Sequence, residues 1–416
     1  MKSSFFHLMP YPHLPEDIDW KERGVWVDVP SDIYDPVRGH ELYNEYLDEL
    51  EHADRVGFDG ICVNEHHQNA YGTMPSPNIM LAALARRTTR CNLVVLGNSI
   101  ALYNPPIRVA EEIAMLDVIS GGRVVAGFPV GTSRDDNYSY GLPGSTLRER
   151  YYEAEDLIVQ AWTRPEVFSF KGKYTQLRYV NIWPRPIQRP HPPIWVPGGG
   201  SVETWDWTIQ KDYVYAALSF GGFKRAQKTL DGYWARVREL GAEPNPYRVG
   251  YLQLVLVSES AEQAKKDYQA GVEYFFKRLV GTGSKTFGEA PGYRSERTIR
   301  AGFQTSNAEV WGNMRKQGVT WEELIEEGNI IAGSPDQVAE GLRKVIQNLR
   351  FGQLMGLLQI GAMNKEQTLK NVEMFGRYVI PQIRDIWANE WEDRWSPKPL
   401  AKRVSPDPLP STVAVG

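Results

Sequence analysis

Residues 60–67 have the sequence GICVNEHH, a short apolar run that ends directly in four polar side chains. Such a run, bounded by turn-forming residues, is typical of a buried strand in a parallel sheet. Seven further runs of this kind occur along the chain, at residues 5–9, 93–100, 124–130, 193–197, 214–218, 250–257 and 354–360. Most of them lack strict alternation of apolar and polar residues. We therefore predict eight strands that are covered on both faces.

Helical patterns lie between these strands. Leu42, Tyr46 and Leu50 fall near a 3.6-residue period, and that pattern ends at Gly57. Further helices are predicted before the Gly121-Gly122 pair, over residues 147–162, after the N-cap Ser334 with Pro335 in the first position, and over residues 365–386. This alternation predicts an α/β fold, a (β/α)8 TIM barrel. An open doubly wound sheet is the alternative, although no G-x-G-x-x-G sequence follows any of the strands.

Two segments do not fit the repeat. Residues 281–330 form a long polar, Gly-rich insertion after the seventh strand, and residues 395–416 form a Pro-containing tail. Loops of this length in a compact domain are usually functional or disordered. We expect one barrel domain over residues 1–394, with 281–330 either a lid over the active site or a surface excursion against a partner subunit. The tail is expected to be disordered or to wrap a neighbouring chain.

Composition excludes several classes of function. The 416 residues carry a formal net charge of -4, which gives no reason to expect nucleic acid or an anionic membrane as a partner. No apolar run reaches the ~20 residues needed to cross a bilayer, and the N-terminus lacks the features of a signal peptide. The two cysteines, Cys62 and Cys91, fall in or beside predicted buried strands, as expected in a reducing cytosol. We therefore expect a cytoplasmic protein.

The residues Glu65, His66 and His67 follow the second predicted strand and are the first candidates for catalysis. In a TIM barrel the active site lies at the C-terminal ends of the strands, and histidine transfers protons near neutral pH. A metal site is the competing interpretation. Adjacent histidines on an extended chain point to opposite sides, and the other histidines show no metal-ligand spacing, so we expect no metal. Purely structural hydrogen bonding by these side chains remains an alternative.

A glycine-rich turn after the fifth predicted strand has the sequence PGGGSVET over residues 197–204. Gly199 and Gly200 let the backbone approach a ligand closely, and N–H groups at a helix start attract phosphate. The hydroxyl groups of Ser201 and Thr204 add donors. Arg148, at another predicted helix start, is a candidate to pair with the same phosphate, the alternative being a solvated helix start.

In combination, these residues resemble the bacterial-luciferase-like flavin-dependent monooxygenase family. The resemblance runs from about residue 41 to 205 and resumes at 331–339. The sequences that carry it are ADRVGFD at 53–59, NEHH at 64–67, NPPIRVAEE at 104–112 and LDVISGGR at 116–123. The family implies a (β/α)8 barrel, usually a homodimer, with FMN in its mouth.

The resemblance also implies roles for single residues. His66 corresponds to the family's catalytic base, with His67 beside it, and Arg148, Ser201 and Thr204 correspond to its phosphate-binding residues. The end of the third strand, where the family has an unusual cis peptide under the flavin ring, corresponds to Gly97-Asn98, and Asn98 is expected to hydrogen-bond the ring edge.

One departure concerns a second phosphate-binding arginine of the family, whose place is taken by Val130. Arg134 and Arg150 are the nearby candidates to replace it.

These implications give a hypothesis for function. Reduced FMN comes from a separate flavin reductase, since the chain has no recognisable nicotinamide site, and reacts with O2 to form a peroxyflavin. His66, oriented by Glu65, handles the proton transfers while a small, neutral or weakly polar organic substrate gains one oxygen atom. The alternatives are a deazaflavin-dependent oxidoreductase, a non-catalytic flavin-binding relative, and a metal-dependent hydrolase.

Overall fold

The structure is a computed structural model that describes residues 1–16, 25–26, 29–131, 134–218, 220–280, 295–301 and 320–401. Its strands are β1 (Lys2–His7), β2 (Gly60–Val63), β3 (Asn92–Leu96), β4 (Val124–Gly127), β5 (Phe168–Lys171), β6 (Gln176–Val180), β7 (Ile194–Gly198), β8 (Val214–Ala217), β9 (Val249–Val257), β10 (Ile330–Gly333) and β11 (Gln353–Leu357). All eight predicted strands are present, at β1–β4, β7–β9 and β11.

These eight strands form a closed parallel barrel. The order around it is β1, β2, β3, β4, β7, β8, β9 and β11, and β11 pairs again with β1. Closure is made by β9, which pairs with β8 through Tyr215 and Val249 and with β11 through Gln353 and Gly250. The prediction of a TIM barrel is therefore confirmed, and the open doubly wound sheet is excluded because no edge of this eight-stranded ring is left unpaired.

The longer helices surround the barrel and cover the outer face of its strands. The α-helices of the described residues, long and short, are α1 (Pro36–Val56), α2 (Pro77–Arg87), α3 (Ile107–Ser120), α4 (Arg134–Ser139), α5 (Leu147–Thr163), α6 (Val202–Gln210), α7 (Phe223–Glu239), α8 (Ala261–Tyr274), α9 (Glu296–Ala301), α10 (Trp321–Glu326), α11 (Pro335–Leu349), α12 (Lys365–Met374) and α13 (Ile380–Ile383). The predicted end of α1 at Gly57 is confirmed, with a φ of 110°. The predicted start of α11 is also confirmed, since Ser334 and Gln337 cap each other there.

Strand residues alternate between two apolar clusters. Ile61 and Val63 pack with the helices in one cluster, whereas Cys62 belongs to a second cluster that includes Val94 and Leu252. Side chains of a strand point alternately to its two faces, and in a barrel both faces are covered. This arrangement explains why the apolar runs lack a polar alternation.

Four features differ from the sequence-based expectation. An antiparallel hairpin of β5 and β6 lies between α5 and β7, and β10 pairs with the C-terminal half of β9. The single helix predicted over 365–386 is instead α12, a π-helical stretch Phe375–Val379 and α13. Pro381 lies at the start of α13 and cannot donate a backbone hydrogen bond to the preceding turn, which accounts for the interruption.

The fourth difference concerns the tail. The Trp395 indole is buried and donates to the Asp212 carbonyl at 2.8 Å, and Leu400 N–H donates to the Gly121 carbonyl at 2.9 Å. Residues 395–401 therefore pack on their own barrel. Residues 402–416, and residues 281–294 and 302–319 of the predicted lid, lie outside the described residues.

Candidate active site

The predicted site residues lie at one end of the barrel. Asn64–His67 follow β2, Asn98 follows β3, and Gly199–Ser201 follow β7. Because all barrel strands are parallel, their C-terminal ends open at the same face, which forms the mouth of the barrel.

Glu65 is the most heavily hydrogen-bonded of these groups. Its side chain has no exposed surface. One carboxylate oxygen accepts from the Asn98 amide at 3.0 Å and from the Tyr103 hydroxyl at 2.7 Å. The other accepts from the Ser99 N–H at 3.3 Å and lies 3.1 Å from His67 Nε2. A buried carboxylate is stable only when its oxygens are paired in this way, so Glu65 fixes the ends of β2 and β3 together.

His67 is the charge partner of Glu65. Burial alone would lower the pKa of His67, but the hydrogen bond and charge of Glu65, together with Asp136 and Asp135, raise it above its ordinary value. The imidazole also lies edge-on to Tyr140, with ring centroids 4.9 Å apart. Glu65 therefore favours the protonated form of His67 and holds its ring at a fixed position.

His66 has other ring neighbours than His67, although both imidazoles interact with Asp135. Its Nδ1 lies 3.6 Å from Asp135 Oδ2, and its ring contacts Trp26 and Tyr71 at 5.2 and 4.9 Å between centroids. The prediction that Glu65 orients His66 is therefore wrong. Glu65 is engaged by His67, and the carboxylate that faces His66 is Asp135.

Asp135 is itself held in place and only partly paired. Its Oδ2 accepts from the Asn69 amide at 2.7 Å, whereas its buried Oδ1 has no hydrogen-bond partner. His66, Asp135 and Asp136 each offer one ligand atom, and these atoms all lie within 4.8 Å of one another. The expectation of no metal rested on adjacent histidines and did not consider this His–Asp–Asp group, which has the donor types to hold a divalent cation.

The resemblance implied a cis peptide at Gly97-Asn98, and the structure has it one bond earlier in the chain. The peptide bond between Leu96 and Gly97 is cis, and a Cβ on Gly97 would overlap the Gly127 carbonyl of the adjacent strand. Asn98, only 1% exposed, donates its amide to Glu65 and leaves its carbonyl oxygen Oδ1 without a partner. A buried acceptor without a donor is costly, so a ligand N–H at this position is the natural complement.

Arg148, Ser201 and Thr204 come together as predicted. The guanidinium of Arg148 donates to Ser201 Oγ at 3.1 Å and to Thr204 Oγ1 at 3.2 Å. Both hydroxyls are buried, in the first turn of α6 or at its N-cap, where the helix dipole favours an anion. Gly200, with a φ of 117°, turns the chain from β7 into this position, and Gly199 is exposed beside it. We call Arg148, Ser201 and Thr204 the phosphate cradle, after the ligand that the resemblance implies for them.

The candidates to replace the missing arginine have different positions. Val130 is buried. Arg150 stacks over the Tyr174 ring, 4.4 Å from its centroid, which places it on the loop of the β5–β6 hairpin. The side chain of Arg134 lies outside the described residues. Of these candidates, none is seen to join the cradle in the described part of the chain.

Sequence reasoning missed Tyr103, Asp135 and Trp26, which complete the surroundings of Glu65 and His66. Tyr103 precedes the NPPIRVAEE sequence, and Asp135 and Trp26 lie in stretches with no regular pattern. The separation of 69 positions between His66 and Asp135 carries no periodic signal, so only the folded chain brings the two together.

The donor set fits the FMN implied by the resemblance. A fixed cation and two hydroxyls at a helix N-terminus suit a phosphate monoester. The free buried carbonyl oxygen of Asn98, at the end of β3 in the same mouth, suits an N–H at the edge of a flavin ring. In addition, no helix within the described residues combines the length and apolarity that a membrane crossing requires.

Comparisons with known proteins agree with this geometry. Residues 28–351 match the family described as luciferase-like monooxygenase. The chain is 26% identical over 352 residues to 4-hydroxyprotoasukamycin monooxygenase of Streptomyces nodosus subsp. asukaensis, covering 81% of this chain and 86% of that protein.

Two solved structures share the fold. The oxygenating constituent of 3,6-diketocamphane monooxygenase of Pseudomonas putida, a type II Baeyer–Villiger monooxygenase in complex with FMN, has a TM-score of 0.69 and 18% identity, with 92% of this chain and 98% of that chain covered. An F420-dependent secondary alcohol dehydrogenase in complex with an F420–acetone adduct has a TM-score of 0.60 and 17% identity, with 92% and 99% covered.

Proposed function

Because this chain belongs to the luciferase-like monooxygenase family, we propose that it is the oxygenase component of a two-component system that uses reduced FMN and O2 to oxygenate a small organic substrate. A separate flavin reductase supplies the reduced cofactor. When bound, reduced FMN supplies the electrons that activate O2 for transfer of one oxygen atom. The protein supplies binding, orientation and proton handling.

The phosphate cradle is the observation that carries this proposal. Arg148 pairs with a phosphate through charge-assisted hydrogen bonds, while Ser201 and Thr204 add hydroxyl donors at the start of α6. Gly199 and Gly200 leave room for the phosphate to approach the backbone. In a barrel whose ligand has no phosphate, an arginine fixed in this position would have no ligand anion to pair with.

Asn98 is assigned to the flavin ring. Its Oδ1 has no partner and would accept an N–H of the ring, and its amide group donates to Glu65, which also accepts from Tyr103. Glu65 and His67 are therefore positioning residues, because they set the orientation of Asn98 and the end of β3 without a required contact to the substrate.

His66 is assigned to proton transfer. Its Nδ1 lies 3.6 Å from Asp135 without a hydrogen bond, so Asp135 acts on this nitrogen through its charge, and Nε2 is the ring nitrogen assigned to the reacting groups. The Asn69 amide fixes the Asp135 carboxylate. Trp26 and Tyr71 restrict rotation of the His66 ring and exclude water around it.

A homodimer is also proposed. The exposed fractions of Ile79 on α2 and Met115 on α3 are 71% and 55%, and Val118 and Ile119 on α3 are also exposed. Exposed apolar groups on neighbouring helices are typical of a subunit interface. Light scattering should show that the Met115→Glu variant is a monomer. The control is Val37→Glu, on α1, whose mass should equal that of the unaltered protein. A monomeric unaltered protein would contradict the proposal.

The test of the proposed function is a comparison of FMN with riboflavin, which lacks the phosphate. Fluorescence titration should give FMN the lower dissociation constant by about 10-fold or more, the scale of a charge-assisted contact. Equal affinity for FMN and riboflavin would show that the cradle does not bind phosphate, and it would contradict the proposed function. Tight binding of a reduced deazaflavin in place of FMN would favour an F420-type oxidoreductase instead.

A further inference from the structure

The first turn of α6 is already occupied by another part of the chain. The backbone N–H of Val202 donates to Thr298 Oγ1 at 3.2 Å, across a sequence separation of 96 residues. Thr298 lies on α9 and is only 3% exposed. A helix N-terminus offers its free N–H groups to whichever acceptor reaches them, and here the acceptor is a hydroxyl oxygen.

Glu203 joins this contact to the phosphate cradle. Its carboxylate accepts hydrogen bonds from Thr298 Oγ1 at 2.6 Å, from Ser201 Oγ at 2.9 Å, and from the Ser295 hydroxyl. The single proton of the Ser201 hydroxyl is therefore directed at Glu203, although a phosphate in the cradle would require the same proton.

We propose that the Ser295–Ala301 segment and the phosphate of the cofactor compete for the first turn of α6, so that each weakens the binding of the other. The proposal rests on the assignment of Arg148, Ser201 and Thr204 to the phosphate.

Charge adds to this competition. Burial alone would raise the pKa of Glu203, but the hydrogen bonds from Ser295 and Thr298, its own backbone N–H and Ser201 lower it to about 2. Glu203 is therefore an anion at neutral pH, and it repels a phosphate dianion held by the adjacent hydroxyls. The carboxylate that anchors the segment is thus also the group that disfavours the phosphate.

Reciprocity gives the size and direction of the effect. If the segment and the phosphate exclude each other, the docked segment weakens cofactor binding by the same factor by which the bound cofactor weakens docking of the segment. A variant with a looser segment must therefore bind the cofactor more tightly. One net hydrogen bond corresponds to about a 2- to 10-fold change in an equilibrium constant.

A second anchor lies outside the cradle and permits a clean test. Arg297 pairs with Asp206 of α6 at 2.7 Å and is half exposed. Arg297→Ala loosens the segment without altering a cradle group or a buried residue. Arg300→Ala is the matched control, because Arg300 pairs with Glu296 inside the segment. Thr298→Val removes the contact to Val202 and leaves the charge of Glu203 in place.

The experiment measures FMN and riboflavin dissociation constants for the full chain and these variants, together with amide hydrogen exchange of residues 295–301. We expect Arg297→Ala and Thr298→Val to tighten FMN by about 2- to 10-fold, with riboflavin and Arg300→Ala unchanged. FMN should also speed exchange in the segment of the unaltered protein.

Two outcomes would overturn the proposal. The first is weaker FMN binding by Thr298→Val, which would indicate that Thr298 contacts the cofactor. The second is unchanged FMN binding by Arg297→Ala although its segment exchanges amide hydrogens faster, which would mean that the segment and the phosphate bind independently. Equal affinity of the unaltered protein for FMN and riboflavin would instead refute the cradle itself, and with it the proposed function.

Discussion

Glu65 offers the sharpest test of how the mouth of the barrel is built. Glu65→Gln keeps the volume of the side chain but replaces one carboxylate oxygen by an NH2 group. Four donors converge on this carboxylate, from Asn98, Ser99, Tyr103 and His67. The glutamine carbonyl accepts from two of them, and the new NH2 group faces the other two.

The expected loss follows from that count. Each stranded buried donor costs about 1–3 kcal/mol, so Glu65→Gln should lower the free energy of unfolding by about 2–6 kcal/mol. Urea unfolding at neutral pH measures this loss. The matched control is Glu340→Gln, since Glu340 pairs with Lys344 in an exposed i,i+4 ion pair whose loss costs about 0.5 kcal/mol or less.

The pH dependence distinguishes a charge pair from simple packing. The raised pKa of His67 means that the folded protein favours its protonated form. This contribution is complete below the unfolded pKa of about 6.5 and is lost as the pH rises through the folded pKa. The difference between the unaltered protein and Glu65→Gln should therefore narrow in alkaline solution. A loss below about 1 kcal/mol, or a difference that does not change with pH, would refute the reasoning.

Three further predictions address single residues. His66→Ala should retain FMN binding while turnover of a substrate falls by ~10²-fold or more, the scale of general acid–base catalysis. Unchanged turnover in steady-state assays would contradict the role of His66 in proton transfer. Arg148→Ala should raise the FMN dissociation constant by ~10-fold or more and leave that of riboflavin unchanged in fluorescence titrations, whereas equal effects on both ligands would show a structural role. Gly97→Ala should lower the free energy of unfolding by about 1–3 kcal/mol, measured by urea denaturation, because the added Cβ overlaps the Gly127 carbonyl. An unchanged free energy of unfolding would mean that β3 and β4 move apart at this point without a cost in stability.

The barrel strands were predictable because each is a continuous apolar run with both faces covered. The run at 60–63 shows this directly, since Ile61 and Cys62 enter different apolar clusters. The β5–β6 hairpin was missed for the opposite reason. Its strands have only four and five residues, of which Phe168, Phe170 and Val180 are buried, so the apolar pattern is too short to stand out.

The candidate site was predictable where a residue belongs to a local pattern. Ser201 and Thr204 lie in a glycine-rich turn that opens a helix, and Arg148 lies at another helix start, so their types and positions indicated phosphate. Pairings across the mouth were not predictable. The carboxylate that faces His66 is that of Asp135 and not that of Glu65. Thr298 contacts α6 from a position 96 residues further along the chain, and only tertiary packing decides such contacts.

The central claim is that the chain binds reduced FMN and controls its reaction with O2. The most direct measurement is to load the purified protein anaerobically with reduced FMN, mix it rapidly with oxygenated buffer, and follow flavin absorbance. We expect protein-bound FMN to be reoxidised several-fold more slowly than free reduced FMN, because a site that excludes water and fixes the ring would slow the reaction. Reoxidation at the rate of free FMN, with a substrate panel present or absent, would contradict it.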